Sequence, residues 1–140
     1  MLDTIEDFPL RTRDKLRYAD TDRQGHVNNA VFATFLETGR VELLVSDGLV
    51  DEGAAFVIAR LELDFLGEIT WPGDVEIGTA VTDVGRSSLK LFQKVFQNGS
   101  PVAQAVTVIV QMNEATRKSQ SLSEGARKKL EHMLRPASAT

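Results

Sequence analysis

The chain has 140 residues, of which 42% are hydrophobic and 26% charged, and this is the profile of a globular protein with one ordinary core. Its formal net charge of −4 argues against a general nucleic-acid binder, which would normally carry a basic face. It has no cysteine, which excludes disulfides, zinc–thiolate sites and cysteine nucleophiles.

The N-terminal residues are acidic and lack an apolar segment, so they do not resemble a secretory signal. No apolar run approaches the roughly 20 residues that span a bilayer. We therefore predict a cytoplasmic protein without membrane insertion. Residues 1–140 are predicted to form a single domain, with 136–140 as a flexible tail.

The first half of the chain predicts a strand, a loop and a long helix. The strand is expected over 10–18, although its alternation is poor, and the polar segment 20–25 is expected to be a loop. A helix is predicted over 29–49, because its apolar residues cover more than one helical face. Asn28 or Asn29 can cap it. Such a helix should be largely enclosed by other elements.

The second half changes to a period of two, which is typical of strands. A half-buried strand is predicted around 57–65, with Val57, Ala59, Leu61, Leu63 and Phe65 on one face. Further strands are predicted over 75–84, 89–96 and 101–112, the last one central because it is apolar on both faces. Asn98-Gly99 is a strong hairpin signal.

A short helix is predicted over 122–134, with a capping box formed by Ser121 and Glu124. The element order is thus one strand, a long helix, four antiparallel strands and a short C-terminal helix. A curved antiparallel sheet of about five strands could wrap the long helix, which gives an α+β domain. A helix lying on a flat sheet would fit the same pattern.

Polar residues concentrate where the loop runs into the helix: Asp20, Asp22, Gly25, His26, Asn28 and Asn29. A helix N-terminus offers unpaired N–H groups and a positive dipole end, which can polarise a carbonyl and hold an oxyanion. Gly25 would let a ligand approach the backbone. A nearby carboxylate can act as a nucleophile or a general base. The simpler alternative is that Asp20 and Asp22 only form turns and caps.

The segment Tyr18-Ala-Asp-Thr-Asp-Arg-Gln-Gly-His-Val-Asn-Asn-Ala-Val-Phe32, followed by Glu37-Thr-Gly-Arg40, resembles the signature of the 4-hydroxybenzoyl-CoA thioesterase family, including its YbgC-type acyl-CoA thioesterases. The resemblance implies a hot-dog fold, an acyl-CoA substrate and a homo-oligomer, dimeric or tetrameric, because sites in this family lie between subunits. It implies that Asp22 is the catalytic carboxylate. It also implies a backbone N–H donor for the thioester carbonyl among residues 29–32.

Phe32 stands where the family often has Tyr, which leaves the acyl preference open. His26 is expected either to hydrogen-bond the substrate or Asp22, or to tie the loop to the helix. Glu37 is the second candidate carboxylate, and the simpler interpretation of it is an ion pair with Arg40. The resemblance implies that Arg86 contacts the CoA phosphates, with Arg117 and Lys118 as a second option. The simpler interpretation is that these side chains are only solvated. The relatives have a denser basic run around Arg86.

Two further possibilities carry less weight. Trp71 could line an acyl tunnel, but its place in Trp71-Pro-Gly favours packing in a turn. A metal held by Asp20, Asp22 and His26 has suitable ligand types, but only three ligands on a loop. We therefore expect no metal and no cofactor other than the CoA of the substrate.

These observations predict hydrolysis of an acyl-CoA thioester to a free acid and CoA. Gly25, His26, Asn28, Asn29, Phe32, Glu37 and Arg86 are the candidate substrate-binding residues around Asp22. The alternatives are a thioesterase acting on acyl carrier protein and a non-catalytic acyl-CoA-binding protein. A dehydratase is disfavoured because it would want a His paired with an acid on the central helix, and neither His26 nor His132 lies within that helix.

Overall fold

The computed structural model describes residues 2–46 and 48–135. The predicted tail at 136–140 lies outside this range. The described residues form five strands and two α-helices: β1 (Leu10–Lys15), α1 (Asn29–Ser46), β2 (Ala54–Phe65), β3 (Asp74–Val84), β4 (Ser88–Gln97), β5 (Ser100–Asn113) and α2 (Glu124–His132). All pairings in the sheet are antiparallel, in the order β1-β3-β4-β5-β2. The predicted α+β architecture is confirmed, and β5 lies inside the sheet between β4 and β2, as its two apolar faces indicated.

The long helix packs on one face of this sheet, mainly against β1, β3 and β4. Its buried side chains meet the inward residues of the strands in one core cluster, which includes Phe32, Phe35, Leu36, Ile77, Val95 and Ala105. A second cluster joins the C-terminal half of α1 to α2. Burial of these apolar surfaces is the main term that stabilises the fold.

One close contact fixes the height of α1 above the sheet. Gly39 has no side chain, and a Cβ there would lie 2.7 Å from Gln93 Nε2 and 2.9 Å from Thr79 Oγ1. Gln93 Nε2 donates to the Leu36 carbonyl at 2.9 Å from a fully buried position. The small residue and the hydrogen bond together let strand and helix approach closely.

The strand β2 differs from the prediction because a bulge interrupts it. Its register with β5 shifts between Ile58 and Arg60, which leaves Ala59 without a partner. Residues directly opposite each other in a sheet share a face, so Leu61 lies on the face of its buried partner Thr107, while Val57 lies on the other face. The predicted single face from Val57 to Phe65 is therefore wrong.

β2 is also more exposed than expected, because it is an edge strand and lies to one side of α1. Its exposed apolar side chains, with the adjoining Leu66, are Val57, Ile58, Leu61, Phe65 and Leu66. These five side chains form the β2 edge. An unpaired edge with apolar side chains is a surface suited to pairing with another strand.

Several boundaries also differ from the prediction. The first strand ends at Lys15, and Tyr18–Asp20 forms a 3-10 turn. The helix α1 ends at Ser46, just before Gly48 with a positive φ of 61°. The predicted cap at Ser121 is wrong, since Ser123 accepts the Ala126 N–H and starts α2. The hairpin at Asn98-Gly99 is confirmed, with both residues at positive φ.

Candidate active site

The loop before α1 is held by backbone hydrogen bonds on both sides. Val27 N donates to Ile69 O at 2.8 Å, and Trp71 N donates to Gly25 O at 3.2 Å. Asn28 N donates to Asp20 O at 2.9 Å, which brings the two ends of the loop together. Gly25 has φ of +78°, a conformation that other residues rarely adopt. The segment 20–28 is thus fixed against the turn that precedes β3.

The two acids of the loop have different environments. Asp20 is buried, and both of its carboxylate oxygens are occupied by Arg17: Oδ2 accepts the backbone N–H at 2.9 Å, and Oδ1 accepts Nη2 at 2.8 Å. The side-chain hydrogen bond from Arg17 lowers the pKa of Asp20 below its ordinary value, assisted by the backbone N–H and by the charge of Arg17. Asp20 is therefore a structural residue.

Asp22 is exposed, and its carboxylate is held through one oxygen. Oδ1 accepts the Gln24 N–H at 2.8 Å and the His26 N–H at 3.2 Å, while Asp22 N donates to His26 O at 2.8 Å. This is the Asx-turn geometry that the sequence allowed as an alternative. It also leaves Oδ2 without a hydrogen-bond partner within the described part of the chain. An anchored carboxylate with one open oxygen can serve as a nucleophile or base.

The first turn of α1 offers an open backbone donor. Asn28 is the cap, because its Oδ1 accepts the Ala30 N–H at 3.0 Å and its carbonyl accepts the Val31 N–H at 2.9 Å. The N–H of Asn29 has no partner among the described residues. Of the donors expected among residues 29–32, Asn28 thus engages those of Ala30 and Val31, and the Asn29 N–H is open to a ligand.

Aromatic rings lie beside this helix start. Phe32 is buried, and its ring meets that of Phe65 edge-on at a centroid distance of 5.1 Å. Phe65 belongs to the β2 edge and is half-exposed. Phe65 was not predicted as a site residue, since nothing local in the sequence connects it with a helix that begins 36 positions earlier. The two rings form an apolar wall next to the open donor.

The His26 side chain forms its ion pair with Glu68 and has no side-chain bond to Asp22. Its Nε2 lies 3.2 Å from Glu68 Oε2, on the segment that precedes β3. From the sequence we expected His26 to contact the substrate, Asp22 or the helix. The contact with Glu68 was not predicted. His26 meets Asp22 only through its backbone.

Glu37 lies away from the loop. It is eight residues beyond Asn29, or about 12 Å along the helix axis, on an outer groove with Thr38 and Val41. The expected ion pair between Glu37 and Arg40 is not formed, and no carboxylate of the described residues pairs with Arg40. Arg40 is buried, and this burial lowers the pKa of its guanidinium, while the charge of Glu37 acts in the opposite direction.

Arg86 does not meet Asp22 within one chain. It lies in the β3–β4 hairpin, where its Nη1 donates to Ser121 Oγ at 3.0 Å. Strand β3 separates this hairpin from the loop that carries Asp22, and its ten steps correspond to about 33 Å. Arg117 and Lys118 follow β5 at the same far end. Trp71 packs edge-on against Tyr18 at 5.2 Å, and so serves at least as turn packing.

Within residues 2–46 and 48–135, no group of three or more His, Asp or Glu side chains is arranged to hold a metal ion. Asp20 is engaged by Arg17 and His26 by Glu68, which explains why the three candidate ligands do not converge. No helix in the same ranges is both long and apolar enough to cross a membrane.

A sheet of five antiparallel strands packed on one long helix, with a polar loop at the helix start, defines the hot-dog class of α+β proteins. Residues 16–130 match the sequence profile of the thioesterase-like superfamily. Since this match spans most of the chain, the protein belongs to that superfamily. The resemblance noted in the sequence is confirmed.

Individual relatives agree with this assignment. The chain is 26% identical over 112 residues to the acyl-CoA thioester hydrolase YbgC of Escherichia coli O157:H7, covering 76% of this chain and 81% of the relative. It is similar to a thioesterase from Thermus thermophilus solved with coenzyme A and zinc, at 32% identity and a TM-score of 0.78, covering 88% and 98% of the two chains. A predicted thioesterase from Bacillus stearothermophilus gives 28% identity and a TM-score of 0.83, covering 91% and 98%.

Proposed function

We propose that this protein is an enzyme that hydrolyses acyl-CoA thioesters, with Asp22 as its catalytic carboxylate. The observation that carries the proposal is the Asp22 carboxylate, anchored through Oδ1 and open at Oδ2, on a loop that leads into the unpaired N–H of Asn29. Membership of the thioesterase-like superfamily supports the reaction class.

The proposed reaction begins with the thioester carbonyl at the start of α1. Its oxygen accepts the Asn29 N–H, and the positive end of the helix dipole stabilises the negative charge that develops there. The open Oδ2 of Asp22 attacks the carbonyl carbon, or alternatively removes a proton from an attacking water. Because Oδ2 has no hydrogen-bond partner among the described residues, it is available to form a bond to the carbonyl carbon, which favours the nucleophilic route. In the nucleophilic route CoA leaves as the thiolate, and water then hydrolyses the anhydride between the acyl group and Asp22. In either route the products are the free acid and CoA, which takes up a proton to become the thiol.

The acyl group would lie against Phe32 and Phe65. Both rings offer apolar surface, and neither carries the hydroxyl that a Tyr at position 32 would add. Asn28 acts indirectly, by holding the helix start in place. Gly25 leaves the loop backbone accessible to a ligand, because it has no side chain and nothing lies within 4 Å of a Cβ placed there.

A second copy of the chain is part of the proposal. Pairing of two β2 edges in antiparallel fashion would bury their apolar side chains. It would also bring the Ala54 end of one strand beside the Phe65 end of the other. The hairpin that carries Arg86 lies at the Ala54 end of the sheet, and the Asp22 loop lies at the Phe65 end. Such a dimer would thus place Arg86 of one copy on the side of the other copy's Asp22.

In this dimer Arg86 of one copy could contact the phosphates of a CoA bound at the other copy's Asp22, which is not possible within one chain. Arg117 and Lys118 would lie on the same side of that site as Arg86. The Thermus thermophilus relative was solved with coenzyme A, which supports CoA as the carrier. Asp20, Asp22 and His26 do not fit a zinc site, because Asp20 is paired with Arg17 and His26 with Glu68. A tetramer built from two such dimers, and a cytoplasmic location, remain predictions.

The activity is tested by incubating the protein with short, long and aromatic acyl-CoAs and measuring the free thiol released. The same acyl groups on acyl carrier protein serve as the comparison. We expect turnover of at least one CoA thioester at a higher kcat/KM than its carrier-protein counterpart. Faster turnover of the carrier-protein thioesters would identify the carrier protein as substrate. Acyl-CoA binding without turnover would contradict the proposal and indicate a binding protein.

A further inference from the structure

The imidazole of His26 is held on one side by an acid that the sequence did not indicate. Glu68 Oε2 lies 3.2 Å from His26 Nε2. The segments that carry the two residues are aligned by backbone pairing, because His26 and Thr70 form an antiparallel bridge and Val27 N donates to Ile69 O, next to Glu68. The ion pair therefore joins two segments that the backbone already aligns.

We propose that His26 is the proton carrier of the hydrolysis and that Glu68 is its positioning residue. This inference rests on the proposed function and on its nucleophilic route. In that route Asp22 becomes acylated, so the carboxylate cannot itself activate the water that releases the acid. A second group with a lone pair is needed next to Asp22.

The contact with Glu68 determines which nitrogen of His26 can do this. A carboxylate only accepts hydrogen bonds, so the Nε2 that faces Glu68 carries the proton. In the neutral ring Nδ1 then keeps its lone pair, and no partner of Nδ1 is recorded within the described ranges. His26 is 32% exposed at its side chain, so water has access to it.

The backbone limits how far this nitrogen can lie from the acylated residue. His26 N lies 3.2 Å from Asp22 Oδ1, and Nδ1 belongs to the same residue as that N–H. Covalent reach alone therefore keeps Nδ1 within about 8 Å of the Asp22 carboxylate. Within this limit, one water can bridge Nδ1 and an acyl carbon bound to Oδ2.

Oδ2 of Asp22 forms a bond to the acyl carbon, and the carbon–sulfur bond breaks to give an anhydride and the CoA thiolate. Water then adds to the acyl carbon and gives one proton to His26 Nδ1, and the bond from the acyl carbon to Asp22 breaks. The free acid leaves, and the proton passes from Nδ1 to the thiolate, or to solvent once the thiolate has left. Water is the only co-reactant.

Glu68 is 71% exposed at its side chain, so the ion pair contributes little to stability. Its proposed effect is on the orientation and tautomer of the ring, which should appear in kcat rather than in folding. His132 provides a matched control, because it lies at the exposed end of α2, away from the loop.

The test measures steady-state hydrolysis of one accepted acyl-CoA by wild type, His26→Ala, His26→Gln, Glu68→Gln and His132→Ala. Unfolding midpoints of all variants are recorded alongside. We expect kcat to fall about 100-fold in both His26 variants with KM nearly unchanged, since this is the usual size of a general-base contribution. Added imidazole should partly restore His26→Ala in proportion to its concentration. Glu68→Gln should lower kcat less, and His132→Ala should leave it unchanged.

His26→Gln can still donate to Glu68 but cannot carry a proton, so it tests the proposal even if His26→Ala does not fold. Full kcat in His26→Gln would overturn the proposal, and so would a lost activity in His26→Ala that imidazole does not restore. If the wild type is active, either result contradicts only the role of His26 and not the proposed thioesterase function. An inactive wild type would contradict both proposals.

Discussion

The carboxylate of Asp20 is enclosed by Arg17, which donates to it from both its backbone and its guanidinium at 2.9 and 2.8 Å. Asp22, two residues later, has one oxygen held by backbone N–H groups and the other open. Their hydrogen-bond partners thus give Asp20 a structural role and leave Asp22 with the open oxygen that the proposed reaction requires.

Asp20→Asn is expected to lower stability. It removes a buried carboxylate whose hydrogen bonds involve a charged group, which typically costs about 2 kcal/mol. Because the pKa of Asp20 is lowered in the folded state, its contribution is present above the unfolded pKa of about 3.9 and is lost as the pH falls through the folded value.

Denaturant unfolding at pH 7 and near pH 3 measures this effect. The difference between wild type and Asp20→Asn should be largest at pH 7 and should shrink at the lower pH. Glu114→Gln, at an exposed position after β5, serves as the control. An equal loss at both pH values would show that the charge of Asp20 is not the cause.

Gly39→Ala is expected to destabilise the protein by about 1–3 kcal/mol, because the added methyl would overpack the contact between α1 and β4. Its Cβ would lie 2.7 Å from Gln93 Nε2, which is itself bonded to Leu36 O. Gly125→Ala in α2 is the matched control, since nothing lies within 4 Å of its Cβ. It should raise stability by about 0.5–1 kcal/mol through helix propensity alone. Thermal unfolding of both variants checks this, and two changes of the same sign would contradict the packing argument.

Leu61→Lys is expected to weaken self-association, because it places a charge in the β2 edge that we propose to be paired in a dimer. Sedimentation equilibrium should show a dimer or tetramer for wild type and a shift toward monomer for the variant, with parallel loss of hydrolysis. Glu62→Lys puts the same charge on the opposite face of the strand and should change association less. A wild type that is monomeric and fully active would rule out the shared site.

The elements of the fold follow from local patterns, and the sequence therefore predicts them well. The apolar surface of α1 and the period of two in β3, β4 and β5 depend on residues close together in the chain. The Asn98-Gly99 hairpin is equally local. The bulge at Ala59 could not be predicted in this way. An alternation of apolar residues does not show that one strand has an extra residue, which shifts its register.

The site is only partly predictable for a related reason. Asp22 and Asn29 lie within one short segment, and the resemblance to a known signature predicts Asp22 as the catalytic carboxylate. Phe65 and Glu68 lie about 40 positions later in the chain, at the end of β2 and just after it. The tertiary fold brings them into contact with Phe32 and His26. No spacing rule within the sequence connects them with His26 or Phe32.

Hydrolysis by Asp22→Asn tests the central claim most directly. The variant keeps Oδ1 as an acceptor for the Gln24 and His26 N–H groups but loses the nucleophilic charge, so the fold should be retained. Initial rates of thiol release with an accepted acyl-CoA are compared with wild type, with circular dichroism and CoA binding as controls for folding. We predict that kcat falls about 1,000-fold or more while CoA binding is retained. Undiminished thiol release by a folded Asp22→Asn variant would contradict the account.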